Sequence, residues 1–137
     1  MKQDIRWKQR FQNLKKSYTN LSKALALKNP DIFQRAGLIH FFSMTFELAW
    51  KTMKDFLEDQ GFTDVTTPRS AIKKSFEVEL LQDGKTWLEC LEKRNLMTHV
   101  YDEEIAAEVE KLIKNNYFPI IEQFVNKMDS INADTNY

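Results

Sequence analysis

Apolar positions along this chain fall into stripes of helical period. Trp7, Phe11, Leu14, Tyr18, Leu21 and Leu25 step by four and three in alternation, which predicts one amphipathic helix from about residue 3 to 28. Asn29-Pro30-Asp31 breaks it, because proline disfavours a helical residue before it and Asp31 suits the cap of a second helix. From 31 to 60 the pattern thickens. Ile32, Phe33, Leu38, Ile39, Phe41, Phe42, Met44, Phe46, Leu48, Trp50, Met53, Phe56 and Leu57 cover more than one face, so this helix is expected at the centre, surrounded by the others. Gly37 inside it costs about 1 kcal/mol relative to alanine and predicts close packing or a slight bend. Gly61 stands where a left-handed cap would end it.

Thr67-Pro68 starts a short third helix, about 68 to 80, expected to bury Ala71, Ile72 and Phe76. After an Asp83-Gly84 turn, a fourth helix carrying Trp87, Leu88 and Leu91 leads toward Arg94 and His99. Asp102, Glu103 and Glu104 open a fifth at its positive pole, with a stripe through Ile105, Val109, Leu112, Ile113, Tyr117, Ile120, Ile121, Phe124 and Met128. Pro119 should kink it, and the tail from Ser130 should fray. No segment reads as a strand and no internal repeat is visible. The pattern predicts an all-α bundle of about five helices.

Composition narrows the class. A chain of 137 residues with 42% hydrophobic content fits one domain, 1–137, able to bury roughly two thirds of its unfolded surface. Three Gly and three Pro leave no linker. Cys90 is the sole cysteine, which removes an internal disulfide, a thiolate zinc cluster and a redox pair. The charged start lacks a signal-peptide core and no window approaches a membrane span, so a soluble, cytoplasmic protein with no membrane partner is expected. Twenty basic and twenty acidic residues cancel, but not locally. Residues 1–28 hold eight bases against Asp4, while 102–110 hold five acids and no base. Either these are solvated faces that meet each other, or the first helix offers RNA a basic ledge.

The chemistry concentrates in Arg94-Asn95-Leu96-Met97-Thr98-His99-Val100-Tyr101. An imidazole titrating near pH 6.5 moves protons at cellular pH, and a guanidinium holds phosphate through paired hydrogen bonds. The pair suggests phosphodiester chemistry, although cations at a helix end also answer the dipole. On an ideal helix Arg94 and His99 lie about 140° apart, so to share a substrate the helix must end near Thr98 or two chains must meet. The i, i+4 neighbours are Asn95 with His99 and Arg94 with Thr98. His40, among Leu38, Ile39, Phe41 and Phe42, reads as a core histidine. Glu47, between Phe46 and Leu48, needs solvent or a cationic partner. No metal-ligand spacing and no glycine-rich phosphate loop is present, so neither a metal nor another cofactor is expected.

Arg6-Trp7-Lys8-Gln9-Arg10-Phe11, Phe46-Glu47-Leu48-Ala49-Trp50-Lys51-Thr52-Met53-Lys54, Pro68-Arg69, and Arg94-Asn95 with His99, Tyr101 and Asp102 together resemble one family. It is that of the nucleotidyltransferase substrate-binding proteins, a branch of the HEPN superfamily that includes toxins paired with minimal nucleotidyltransferase antitoxins. The similarity covers roughly residues 6 to 125. It implies an up-and-down bundle with a four-helix core that dimerises, bringing Arg94 and His99 of two subunits to a shared cleft. The toxin branch is similar to metal-independent ribonucleases. Carried over, His99 would be general acid or base on a ribose 2′-hydroxyl, a role contributing about 10²- to 10⁴-fold, and Arg94 would steady the phosphorane. Asn95 would orient phosphate or His99, and Tyr101 would be the tyrosine that the partner enzyme nucleotidylates. The resemblance thus implies a homodimer, a separately encoded nucleotidyltransferase and RNA as partners. Its alternative is a non-catalytic substrate-binding subunit of a two-component nucleotidyltransferase.

Overall fold

The computed structural model describes residues 5–134. Its elements in order are α1 (Arg6–Leu25), α2 (Ile32–Asp59), α3 (Pro68–Glu77), α4 (Gly84–Glu92), a 3₁₀ turn (Lys93–Thr98), α5 (Glu103–Leu112), a π turn (Ile113–Tyr117) and α6 (Phe118–Asp134). No strand occurs among the described residues.

Cross-helix contacts give the directions. Trp7 meets Phe56 edge-on with ring centroids 5.2 Å apart, Arg10 meets Asp55 and Ser17 meets Thr45, so α2 runs antiparallel to α1. Phe46 packs on Trp87, and further along Ser43 meets Met97, so α4 with its 3₁₀ extension runs antiparallel to α2. Arg35 pairs with Glu110 and Phe42 stacks on Tyr117, so α5 and α6 run parallel to α2 and antiparallel to α1. The result is an up-and-down four-helix bundle in which α3 bridges α2 and α4.

Local chemistry sets most boundaries. Asp31 and Gln34 form a reciprocal capping box at the start of α2, and Thr67 and Ser70 do the same for α3, where Pro68 is the first helical residue. Gly61, at φ +95°, closes α2 with Phe62 N–H on the Leu57 carbonyl and Gly61 N–H on that of Glu58. The same two-bond closure ends α3, but there Glu79 takes the left-handed position at φ +66°. No glycine announces that stop, and α3 ends at Glu77 rather than near residue 80.

Several expectations change. The proline kink at Pro119 becomes a π turn just before it, with Phe118 N–H reaching back to Ile113. Val109, Ile113, Tyr117 and Ile121 step by four, which an α-helix would rotate by about 40° each time; the wider turn absorbs this drift and keeps all four buried. Phe76 is 50% exposed rather than buried. His40 is exposed on α2, not in the core. No neighbour lies within 4 Å of a Cβ built on Gly37, so close packing there is absent. Phe33, 82% exposed, shares that outer side, and α2 is central without being enclosed. Residues 130–134, expected to fray, are helical, and 135–137 lie outside the described residues.

Part of the basic side of α1 is answered within the fold. Arg10 donates to Asp55 at 3.0 Å, Lys15 to Asp129 at 2.9 Å, and the Tyr18 hydroxyl to Glu122 at 2.8 Å. None of these partners belongs to the acidic run at 102–104. Asp55, 2% exposed, is held by Arg10 and by Lys54 at 3.3 Å. Asp55→Ala leaves Arg10 without its buried partner; because Arg10 can turn to water, the loss in urea unfolding is expected at about 2 kcal/mol, below that of a wholly buried pair.

Burial first, and then the Glu122 carboxylate, push the Tyr18 phenol from 10.0 up to about 12. A raised folded value means that this group stabilises the fold fully below pH 10 and that the contribution is lost as pH rises through about 12. The unfolding midpoint is therefore expected to fall between pH 10 and 12, and Tyr18→Phe to flatten part of that fall.

Candidate functional site

The Arg94–Tyr101 segment is shaped by how α4 ends. The α-helix stops at Glu92, six residues tighten into the 3₁₀ turn, and Asp102 then caps α5 through the N–H groups of Glu104 and Ile105. Leu96, Met97 and Val100 point back against the core. Arg94, Asn95, Thr98, His99 and Tyr101 are left on the outside. Backbone bonds lock the reversal: His99 N–H donates to Leu96 O and Asp102 N–H to His99 O, each at 3.1 Å.

Two separate pairs form on this surface. Arg94 Nη1 donates to Glu47 Oε1 at 2.7 Å, while Glu47 Oε2 accepts from the Trp50 indole Nε1 at 3.0 Å and lies 3.9 Å from Lys51 Nζ. Glu47 thus has the cationic partner its sequence context demanded, but half-exposed rather than buried. His99 Nδ1 lies 3.0 Å from Tyr101 Oη, with the two rings edge-to-face at 5.7 Å. Tyr101 itself is 77% exposed. The Asn95 side chain makes no hydrogen bond among the described residues, and its carbonyl accepts from Thr98 Oγ1. No hydrogen bond joins Arg94 to His99 among the described residues. One chain therefore presents a held guanidinium and an imidazole–phenol pair side by side on one segment, not a closed cleft.

The chemistry of the second pair depends on the imidazole tautomer. With the proton on Nε2, Nδ1 accepts from the phenol and draws its proton as the oxygen becomes nucleophilic. With the proton on Nδ1, the phenol oxygen accepts and Nε2 offers a lone pair outward. Among the described residues no group of three or more His, Cys, Asp or Glu could hold a metal ion. Cys90 is buried, and burial pushes its thiol well above the usual range, which leaves it inert as a nucleophile. The buried Asp55 escapes a reading of spacing, since its Arg10 partner lies on another helix, whereas Trp50 stands at i+3 from Glu47 on the same helix and that spacing could have found it.

The model of the family described as nucleotidyltransferase substrate binding protein like matches residues 9–130, a span that takes in most of α1, Glu47 and the whole Arg94–Tyr101 segment. The chain belongs to this family. A crystal structure of a protein from Thermus thermophilus has a TM-score of 0.75 to this chain at 27% identity, covering 84% of this chain and 98% of that one. No curated protein matches. This substrate-binding family member is all-helical, in keeping with the bundle read from its sequence, and none of its described helices is long and apolar enough to cross a membrane.

The Glu47–Arg94 pair is half in water, where such pairs contribute little. Glu47→Ala is expected to cost at most about 1 kcal/mol in urea unfolding, which leaves the variant folded for functional tests. A loss several times larger would make Glu47 a structural residue.

Proposed function

We propose that this protein is the non-catalytic substrate-binding subunit of a separately encoded minimal nucleotidyltransferase, and that the Arg94–Tyr101 segment is its functional surface. The family match carries this reading. Geometry supports it: Arg94 is engaged with Glu47 and His99 with Tyr101, so one chain holds no assembled centre for phosphodiester cleavage. Exposure of Tyr101 suits contact with the transferase.

A second reading, a metal-independent ribonuclease toxin working as a homodimer, is favoured by one observation. The imidazole–phenol pair lies open to solvent, and the outer side of α2, with Phe33 exposed and open space at Gly37, leaves an apolar stripe for a second copy. In that dimer Arg94 and His99 of two subunits would line one cleft, with Asn95 orienting phosphate or His99. Nucleotidylation of Tyr101 would then be the control. Tyr101 Oη attacks the α-phosphorus of a nucleoside triphosphate held by the transferase, the bond to pyrophosphate breaks, and the phenol proton passes to His99 Nδ1. The phosphate left on Tyr101 would add negative charge beside His99 and repel RNA.

Incubation of the purified protein with total cellular RNA in EDTA, beside Arg94→Ala and His99→Ala, separates the readings. The accessory subunit cleaves nothing with any of the three and binds its transferase. Cleavage by the wild type, reduced about 10²-fold or more in both variants, would overturn that reading in favour of the ribonuclease. Mass analysis after incubation with transferase and nucleoside triphosphate would then show addition to wild type and none to Tyr101→Phe.

A further inference from the structure

A groove of about 670 Å³ runs between α3 and α4, away from the Arg94–Tyr101 segment's own contacts. Each wall repeats the helical i, i+3, i+4 face: Lys73, Phe76 and Glu77 on α3, Lys85, Leu88 and Glu89 on α4. The volume lies within the ordinary range for small-molecule sites.

Two features mark it as built for a ligand. The first is the seat of Phe76. Gly84, buried at the start of α4, lies so close beneath that ring that a Cβ on it would come 2.8 Å from Phe76 Cγ. The ring thus rests directly on backbone, fixed in place, yet half of it stays exposed to the groove. A phenyl ring needed only for the core would be covered.

The second is the balance of charge. Of the acids on the rim, Glu77 is paired with Lys74 at 2.7 Å and Glu92 with Arg69 at 3.8 Å, while Glu89 accepts from the neutral Tyr117 hydroxyl at 3.3 Å, which leaves one negative charge against the two lysines that follow. Lys73 and Lys85, one on each wall, are in no ion pair among the described residues. The Lys85 charge also helps, after the Thr86 hydrogen bonds, to hold the capping carboxylate Asp83 below the usual carboxylate range. An aromatic platform flanked by two ammonium groups that are in no ion pair among the described residues is complementary to a planar ring that carries an anion.

We infer that the α3–α4 groove binds a nucleotide, its base stacked on Phe76 and its phosphate between Lys73 and Lys85. The inference rests on the substrate-binding reading for its setting, but its test needs neither transferase nor RNA, so the two fail separately. The isolated protein is titrated by NMR with AMP, adenosine and inorganic phosphate. AMP is expected to bind saturably and more tightly than adenosine or phosphate. Phe76→Ala and the double variant Lys73→Glu/Lys85→Glu should each weaken it about tenfold, as loss of one stacked base or its phosphate contacts predicts. Gly84→Ala, which displaces the ring, should weaken it as well. Lys23→Glu, removing a positive charge on α1, should leave it unchanged. Absence of saturable AMP binding up to about 10 mM would overturn the inference, since weaker affinity has no use at cellular nucleotide levels. So would binding that survives Phe76→Ala and the double lysine variant, or that falls equally in Lys23→Glu.

Discussion

The packing of Trp87 decides where everything else on the functional side of this bundle can sit. The indole, 1% exposed, lies against Phe46 of α2 and edge-on to Phe124 of α6, at centroid distances of 5.8 and 6.0 Å. Burying so large a ring between two helices is worth several kcal/mol, far more than any polar contact nearby. Because α4 has only nine residues, this one anchor sets both its rotation and its height. Its C-terminal end delivers Arg94 opposite Glu47, and its N-terminal end sets Gly84 beneath Phe76.

Electrostatics follow the packing. The charges that looked segregated along the chain are interleaved in space, where the basic side of α1 meets acids of α2 and α6 and Arg35 of α2 meets Glu110 of α5. Arg10 and Lys15 are answered in this way, while Lys16 and Lys23 of the first helix are in no ion pair among the described residues. Lys73 and Lys85 at the α3–α4 groove are in no ion pair among the described residues, and the hydrogen-bonded His99–Tyr101 pair is exposed. Both places set polar side chains at the surface of helical or tightly turned backbone, an arrangement suited to recognition without induced folding.

The two places differ in form. The polar residues of the Arg94–Tyr101 segment are exposed, whereas the groove is concave and partly apolar, as a site for a small molecule should be. The groove runs along α4 from Gly84 to Glu92, and the Arg94–Tyr101 segment follows close behind the C-terminal end of that helix.

Much of this was legible in the chain. Helical periodicity, the Asp31, Thr67 and Asp102 caps and the Gly61 stop are local properties, settled by hydrogen bonds within four or five residues, and they determined the all-helical class and nearly every helix start. The end of α3 was not legible, because Glu79 adopts a left-handed conformation without the glycine that normally signals one. Nor was the π turn, which answers a drift of the apolar stripe that only a fixed neighbour makes costly. Periodicity states which residues share a face but not what covers it, so His40, Phe76 and Phe33 look alike in sequence to residues that are buried. The chain determined that Arg94, His99 and Tyr101 would lie together on one segment. Only the tertiary structure decided that Glu47 would hold the guanidinium, since a partner 47 residues away is chosen by helix packing and not by spacing, whereas His99 and Tyr101 meet two residues apart in the turn that ends the segment.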